Sequence, residues 1–320
     1  MCMNREGQSA PAWMAMMCAF EGVILMGHQL PDHDAVGGMA GMAALAAEAG
    51  VPVFIAAGMP GEGLQEAVDN LAADGMPVIE SPPDNIGHCV IVVADTQRST
   101  FAAYPDWLPL AGGVAVIDHH LPGVEPIPAP LLTWLDPQAS STSELVACLL
   151  SDAAIKPTVA QAELMLAGIT LDTHRFLSRV SARTFRSAAQ LCEWGAQVGR
   201  VRAFFEDKVE SFIARSQVIH DAEIEDGIAY SAISIDVDGG RVVAAQAADE
   251  LVFLQGIRGA LVACMDGGVT AVSARAREGL SAVEWVAPLG GGGTHVAAGL
   301  QLSGVTPCEA IARIRALIKA

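Results

Sequence analysis

The feature that most constrains the fold is a repeated alternation of short apolar runs and helical segments. The runs GVILMGHQL, VPVFIAAG, HCVIVVADT and GVAVIDHH occupy residues 22–30, 51–58, 88–96 and 113–120. Continuous apolar runs of this length are typical of strands that are buried on both faces of a parallel sheet. The small residues between Asp34 and Gly50 favour an intervening helix that stops at a glycine. The order predicts βαβ units and an α/β class, with a doubly wound, mainly parallel sheet.

Two further helices, predicted from about Ser141 and about Thr158, complete this alternation. The pattern then changes to a more charged helical stretch. Three short β-runs then alternate with turns rich in Asp and Gly, which indicates a smaller α+β domain. We therefore predict a first domain over 18–190, a helical connector over 191–225 and a second domain over 226–320.

Charge and composition exclude several classes of protein. The formal net charge of −18 argues against binding of long nucleic acid, because such binding depends on neutralising phosphates. Seven scattered cysteines without a CxxC pair indicate reduced thiols and make structural zinc improbable. The apolar run from Ala10 to Phe20 is too short to span a membrane. These features predict a cytoplasmic protein without a membrane segment in this chain.

Metal-binding side chains follow the predicted strands. His28, Asp32 and Asp34 come after the first run, Asp95 ends the third, and Asp118, His119 and His120 end the fourth. Asp172 follows a further apolar run, GITL, and we count it as another strand end. Ligands of open α/β sheets bind at the carboxyl ends of the strands. The sequence therefore predicts that these side chains share one site.

The predicted site has the chemistry of a divalent metal centre. Each Asp or His taken alone fits a helix cap, a turn or a core position better than a metal ligand. Together they supply carboxylate oxygen and imidazole nitrogen without thiolate, which suits Mn²⁺, Mg²⁺ or Fe²⁺. So many carboxylates in one place require cations, and two metals sharing a carboxylate would neutralise them.

The same motifs resemble those of the DHH phosphoesterase family. GHQLPDHDAVG, VADT, IDHH and GITLDT match its four motifs in order, and the resemblance covers nearly the whole chain. The stretch LGGGGTHVAAGLQL, residues 289–302, resembles the family's substrate-binding domain, called DHHA1. The resemblance thus implies that residues 18–190 form a DHH catalytic domain and that residues 226–320 form a DHHA1-type domain. Residues 191–225 would form the helical connector between them.

The resemblance also implies two Mn²⁺ ions, with Mg²⁺ or Fe²⁺ as alternatives, and roles for each residue. One ion would use His28, Asp32 and Asp95, and the other Asp34, Asp95, His119 and Asp172. Asp118 would orient a histidine, and His120 would face the phosphate as the acid for the leaving oxygen. Hydroxide activated by the two metals would then attack phosphorus. Asp95, Asp118 and His120 are accordingly the predicted catalytic residues.

Residues outside the metal motifs are candidates for binding the substrate. Ser140 and Ser141 either cap the helix that follows or, with its first N–H groups, hold a phosphate. Arg179 and Arg183 either bind phosphate or form ion pairs. In the glycine loop we expect Gly291, Gly292, Gly293, Thr294 and His295 to contact substrate. Most family members have a His directly after the glycines, whereas Thr294 holds that place here.

The resemblance narrows the substrate to a small nucleotide. The stretches ASSTSEL and SARTFRSAAQLCEWGA resemble the catalytic half of cyclic-di-AMP phosphodiesterases, which implies hydrolysis of cyclic di-AMP to pApA. The alternative is a nanoRNase that degrades very short RNA and dephosphorylates 3′-phosphoadenosine 5′-phosphate. A pyrophosphatase and a metal-dependent nucleotide sensor without activity also remain open. Family members often pair, so a homodimer is a further expectation.

Overall fold

The structure is a computed structural model that describes residues 9–60, 62–73, 75–206, 208–236, 239–277 and 279–319. Cys2 and the other residues before Ser9 lie outside the described residues. The chain divides into two compact units, Met1–Glu206 and Asp207–Ala320. Among the described residues, no helix combines the length and the apolar character needed to cross a membrane.

The first unit is built on a parallel sheet. Its strands are β1 (Gly22–Met26), β2 (Val53–Ala56), β3 (Cys89–Ala94), β4 (Gly113–Asp118) and β5 (Leu132–Leu135). Within the described residues the strand order is β2-β1-β3-β4-β5, and every neighbouring pair is parallel. The predicted α/β class with a doubly wound parallel sheet is confirmed. The edge strand β5 was not predicted, because its four residues do not form a continuous buried run.

Helices cover the sheet of the first unit. They are α1 (Ala10–Met17), α2 (His33–Glu48), α3 (Glu62–Ala73), α4 (Thr142–Asp152), α5 (Val159–Asp172), α6 (Ala182–Glu193) and α7 (Val198–Ala203). Short 3₁₀ turns occupy Ile86–His88, Ser99–Phe101 and Pro105–Leu110. Helix α2 packs against α4 and α5. Its small residues allow this, since a Cβ at Gly41 would lie 2.6 Å from the Met165 sulfur.

The second unit contains a mixed sheet. Its strands are β6 (Glu223–Glu225), β7 (Ile228–Asp236), β8 (Gly259–Asp266), β9 (Val269–Ala276), β10 (Gly292–Gly293) and β11 (Ala297–Ser303). The order is β10-β11-β9-β8-β7-β6, and within the described residues β7 and β8 form the parallel pair. The helices are α8 (Val209–His220), α9 (Gly240–Val252), α10 (Ala282–Val286) and α11 (Pro307–Ile318), with a 3₁₀ turn at Ala287–Leu289. The predicted α+β character of this part is confirmed.

The boundary between the two compact units falls after Glu206, inside the segment predicted as a connector. On one side of it α7 packs against α5, and on the other α8 packs against α9. The predicted limits at 190 and 226 stay a prediction.

Candidate metal centre

The loops after three neighbouring strands carry the predicted metal-binding residues. His28 follows β1, Asp95 follows β3, and His119 follows β4. Because β1, β3 and β4 are adjacent and parallel, their carboxyl ends meet at one edge of the sheet. Asp32 caps the start of α2, where its Oδ1 accepts the N–H groups of Asp34 and Ala35. The fold thus brings the residues of the first three motifs together.

Asp172 reaches the same place from a helix, and here the prediction of a strand end is wrong. It is the last residue of α5, which packs directly against α2. Its Oδ2 lies 3.0 Å from Nε2 of His119. The apolar run before Asp172 is continuous because α5 is buried between neighbouring helices, and periodicity alone does not distinguish such a helix from a buried strand.

Two groups of ligand atoms form the centre. In the first, Nε2 of His28 lies 3.9 Å from Oδ1 of Asp32 and 3.6 Å from Oδ2 of Asp95. The second consists of Asp34, His119 and Asp172, whose ligand atoms lie within 4.8 Å of one another. The other oxygen of Asp95, Oδ1, lies 3.4 Å from Nε2 of His119. Asp95 therefore faces both groups with different oxygens, which is the geometry required of a bridging carboxylate.

The start of helix α4 supports this arrangement. Asp34 is fully buried, and its two oxygens accept the N–H groups of Thr142 at 2.6 Å and of Ser143 at 2.9 Å. The Thr142 hydroxyl donates to Oδ1 of Asp95 at 3.0 Å. The positive end of a helix favours nearby negative charge. Asp95 itself has a φ of +66°, a left-handed conformation that Asp tolerates better than most residues and that is common at functional sites.

Protons are strongly bound in this centre without a metal. Burial works against charged imidazoles, but Asp32 and Asp95 outweigh it and raise the pKa of His28 to about 10. Burial likewise opposes the imidazolium of His119, but Asp172 and Asp95 raise its pKa to about 11. Burial raises the pKa of Asp34 and of Asp172 above the ordinary carboxyl value. The centre is thus short of positive charge, which the histidines supply by keeping their protons.

A buried atom tests whether a cation fits. Nε2 of His119 is buried among three carboxylate oxygens at 3.0, 3.4 and 3.8 Å, and within the described residues none of these contacts has the geometry of a hydrogen bond. A buried polar atom without a partner is rare and points to an ion or a water. The donors are oxygen and imidazole nitrogen, which suit Mn²⁺, Mg²⁺ or Fe²⁺. The residues present therefore fit a divalent cation.

His120 lies beside the shared ligand: its Nδ1 is 3.7 Å from Oδ1 of Asp95, and together with Asp95, Asp118 and His119 it forms a third cluster of possible ligand atoms. Its Nδ1 lies 2.7 Å from Oδ1 of Asp118, which is fully buried, whereas 56% of the His120 side chain is exposed. The hydrogen bond with Asp118 is the main cause that raises the pKa of His120 above its ordinary value. The contact with Asp118 therefore favours the protonated imidazole at a position open to a ligand.

The start of α4 does not have the exposed N–H groups that the phosphate-binding alternative requires. Ser141 is the N-cap residue, and its hydroxyl accepts the N–H of Glu144 at 2.9 Å. The Ser140 hydroxyl donates to Glu144 at 2.6 Å, and both serines are buried. The Asp34 carboxylate already occupies the helix start, and both serines make capping contacts; substrate binding by Ser140 and Ser141 stays a prediction.

The two predicted arginines differ. Arg183 forms ion pairs with Asp136 and the buried Glu144, while its Nη2 is buried without a hydrogen-bond partner among the described residues. The Arg179 guanidinium lies 3.0 Å from Nδ1 of His119, at the rim of the second ligand group. Arg179 adopts a φ of +54°. Phosphate binding by Arg179 and by Arg183 stays a prediction.

The glycine loop lies in the second unit and is described there by itself. Gly292 and Gly293 form β10, and a Cβ at Gly293 would lie 2.5 Å from the Ala297 carbonyl oxygen. Thr294 closes the following turn, since its N–H donates to the same oxygen at 2.7 Å. His295 is held by a 2.8 Å hydrogen bond with Ser281. Substrate contacts by Gly291, Gly292, Gly293, Thr294 and His295 stay a prediction.

Sequence reasoning did not nominate several residues that the structure places at these sites. Thr142 donates to Asp95, and Gln97 contacts the segment that carries His120. Arg241 lines a groove of about 370 Å³ beside the glycine loop, together with Ser273 and Gln301. Gln97 stands two residues after Asp95 in VVADTQRS, Thr142 directly follows Ser141, and Gln301 lies within residues 289–302, so these three had a nearby motif as a signal. Arg241 and Ser273 lie outside the quoted motifs.

Comparison with known proteins supports a single family. Residues 22–169 match the family description "DHH family, N-terminal domain". The cyclic-di-AMP phosphodiesterase GdpP of Geobacillus thermodenitrificans is 32% identical over 308 residues. Residues 22–169 of this chain belong to the DHH family. The GdpP match covers 92% of this chain but 47% of GdpP, so the chain spans about half the length of the curated relatives that it matches first.

Two other DHH comparisons cover nearly full lengths. The bifunctional oligoribonuclease and PAP phosphatase NrnA of Thermus thermophilus is 27% identical over 304 residues, which cover 92% of this chain and 89% of NrnA. The crystal structure of an exopolyphosphatase-related protein from Bacteroides fragilis superposes with a TM-score of 0.80 and covers 100% of both chains. That protein is 16% identical, and the likeness confirms the DHH fold alone.

Proposed function

We propose that this chain is a metal-dependent phosphodiesterase that hydrolyses cyclic di-AMP to pApA. The observation that carries the proposal is the pair of ligand groups that share Asp95 at the carboxyl edge of the sheet. Two divalent cations held in this way supply an activated water and a clamp for the attacked phosphate. The 32% identity to GdpP supports cyclic di-AMP as the substrate.

Two Mn²⁺ ions are the cofactors that we propose. One would be held by His28, Asp32 and Asp95, and the other by Asp34, Asp95, His119 and Asp172. Hard oxygen donors and imidazole without thiolate favour Mn²⁺, with Mg²⁺ or Fe²⁺ as substitutes. Thr142, Ser143 and the start of α4 then fix Asp34 and Asp95 so that their oxygens keep their directions.

His120 is the proposed acid for the leaving group. The attacking water gives one proton to solvent as its oxygen bonds to phosphorus, the bond from phosphorus to the ribose 3′-oxygen breaks, and that oxygen takes a proton from His120. The imidazole then regains a proton from solvent. Asp118 keeps the imidazole oriented and protonated, as its 2.7 Å contact with Nδ1 allows. Arg179, at the rim beside His119, would bind the non-bridging phosphate oxygens.

Short RNA and 3′-phosphoadenosine 5′-phosphate are the second candidate substrates. The match covers 89% of NrnA and 92% of this chain, so the two proteins correspond over nearly their whole lengths. Both candidates keep the substrate small, in agreement with a net charge of −18 that disfavours long nucleic acid. A homodimer and a cytoplasmic location remain predictions beside this proposal.

The test compares substrates under identical conditions. Cyclic di-AMP, pApA and 3′-phosphoadenosine 5′-phosphate are each incubated with the protein and Mn²⁺, with and without chelator, and the products are separated by chromatography. Faster conversion of cyclic di-AMP to pApA than of either other substrate supports the proposal. Preference for pApA or the monophosphate favours the NrnA-like function. Absence of Mn²⁺-dependent hydrolysis of all three refutes both.

A further inference from the structure

The segment after His120 is attached to the segment after Asp95 by several hydrogen bonds. The N–H and hydroxyl of Ser99 donate to the Glu125 carbonyl at 3.0 and 3.2 Å. The N–H of Ile127 donates to the Gln97 carbonyl at 2.8 Å. Together these contacts hold residues 120–127, which we call the His120 loop, against the residues that follow β3.

At the end nearest His120, the attachment is made by a side chain. Nε2 of Gln97 lies 3.1 Å from the Leu121 carbonyl oxygen, 3.2 Å from the His120 carbonyl oxygen and 3.4 Å from Oδ2 of Asp118. All three neighbours accept hydrogen bonds and none donates, so the amino end of the amide must face them. Gln97 is 7% exposed, which keeps water from replacing these bonds.

These contacts join the two groups that set the position of His120. Asp118 bonds the imidazole through Oδ1, and its other oxygen faces Gln97. The backbone of His120 is held by the same amide nitrogen through its carbonyl. Among the described residues Gln97 makes no hydrogen bond to His119, which follows the end of β4 directly.

We infer that Gln97 is a positioning residue that fixes the His120 imidazole for proton transfer while leaving the metal ligands unaffected. The inference rests on the proposed function, in which His120 protonates the leaving oxygen. Without the amide N–H groups of Gln97, the carbonyl oxygens of His120 and Leu121 and the carboxylate of Asp118 each lose a hydrogen-bond donor. Such a loss is costly beside a side chain that is itself buried. The loop then relaxes, and a displacement near 1 Å of a catalytic group costs roughly 100-fold in rate.

Two substitutions of similar volume test this. Gln97→Met keeps the shape and loses the donor, and Gln97→Glu adds a carboxylate that repels all three acceptors. With cyclic di-AMP and Mn²⁺ we expect kcat to fall on the order of 10-fold for Gln97→Met and 100-fold for Gln97→Glu. KM and the Mn²⁺ affinity of the chelator-treated protein, measured by calorimetry, should each stay within about threefold. Gln65→Met, which makes the same change at an exposed amide of α3, should match wild type.

Each outcome has a distinct meaning. Unchanged kcat in both variants overturns the inference, and so does a parallel loss of kcat and Mn²⁺ affinity, because Gln97 would then act through the metal centre. If the wild-type protein hydrolyses none of the three substrates, the proposed function fails instead. The positioning is still measured in that case by NMR of the Mg²⁺-loaded protein, in which Gln97→Met should shift the His120 signals. Unshifted signals would overturn it.

Discussion

The substitution Gly168→Ala, which adds one methyl group to helix α5, should move Asp172 away from Asp34 in the second ligand group. Gly168 lies one turn before Asp172, where α5 crosses the start of α2. A Cβ at this position would overlap the Ser143 hydroxyl and would lie 2.7 Å from Oδ1 and 2.9 Å from Cα of Asp34. The Ser143 side chain can rotate away, but the Cα of Asp34 is fixed in its helix. Gly168→Ala therefore has to move α5 away from α2.

The size of the movement follows from ordinary carbon contacts. Two carbons prefer about 3.5–4.0 Å, so the helices must part by roughly 0.6 Å or more near Asp34. Overpacking of this kind costs about 1–3 kcal/mol, and the better helix propensity of Ala returns about 0.5–1 kcal/mol. The free energy of unfolding should therefore fall by at most about 2.5 kcal/mol. Metal ligation tolerates only about 0.2 Å, so we expect Mn²⁺ affinity to fall on the order of 10- to 100-fold.

Calorimetric titration of chelator-treated protein with Mn²⁺, together with thermal unfolding, measures both effects. Gly199→Ala is the matched control, because Gly199 lies in helix α7 with no atom within 4 Å of its added Cβ. That variant should bind Mn²⁺ as wild type does and unfold at a slightly higher temperature. Wild-type Mn²⁺ affinity in Gly168→Ala would refute the reasoning, since α5 would then not need its close approach to Asp34.

Three further predictions concern the ionisable residues. Asp95→Ala should fold yet lose nearly all Mn²⁺ binding and hydrolysis, and activity near wild type in that variant would contradict a shared ligand. His120→Ala should bind Mn²⁺ normally but turn over at least 10-fold more slowly, as general acids contribute about 10²–10⁴-fold; loss of metal would mean that His120 is a ligand. The pKa values of His28 and His119 are raised to about 10 and 11, so both imidazoles are protonated at neutral pH without metal. Mn²⁺ binding should therefore release protons, and the affinity for Mn²⁺ should increase as the pH rises from 6 to 9. Calorimetry in buffers of different ionisation enthalpy counts those protons, and zero release would contradict the assigned protonation.

The strand ends of the first unit could be predicted from sequence because their signals are local. A continuous apolar run reports a strand buried on both faces, and the polar residue that ends it marks the edge where ligands bind. Because the βαβ pattern makes the strands parallel, the sequence predicts a common site for His28, Asp95 and His119. The capping of α5 by Thr158 and Gln161 is equally local, and the helix begins where it was predicted.

Other features depend on which helices meet. Asp172 stands at a helix end, and its place beside His119 depends on the packing of α5 against α2. The ion pair of Arg183 depends on Glu144, a buried acid that needs a cation. Nothing in the sequence around Ser141 indicates that the N–H groups of the next two residues bind a carboxylate more than 100 residues earlier.

The sequence by itself determined the fold class, the parallel edge and the chemical type of the donors, because each is encoded in runs of a few residues. Tertiary structure alone decided how those donors are shared, supported and protonated. Asp95 faces both ligand groups, Asp34 accepts from the start of α4, and Gln97 holds the His120 loop. These contacts join segments that are distant along the chain. Burial then sets their strength, since unpaired charges and donors are costly only where water is excluded.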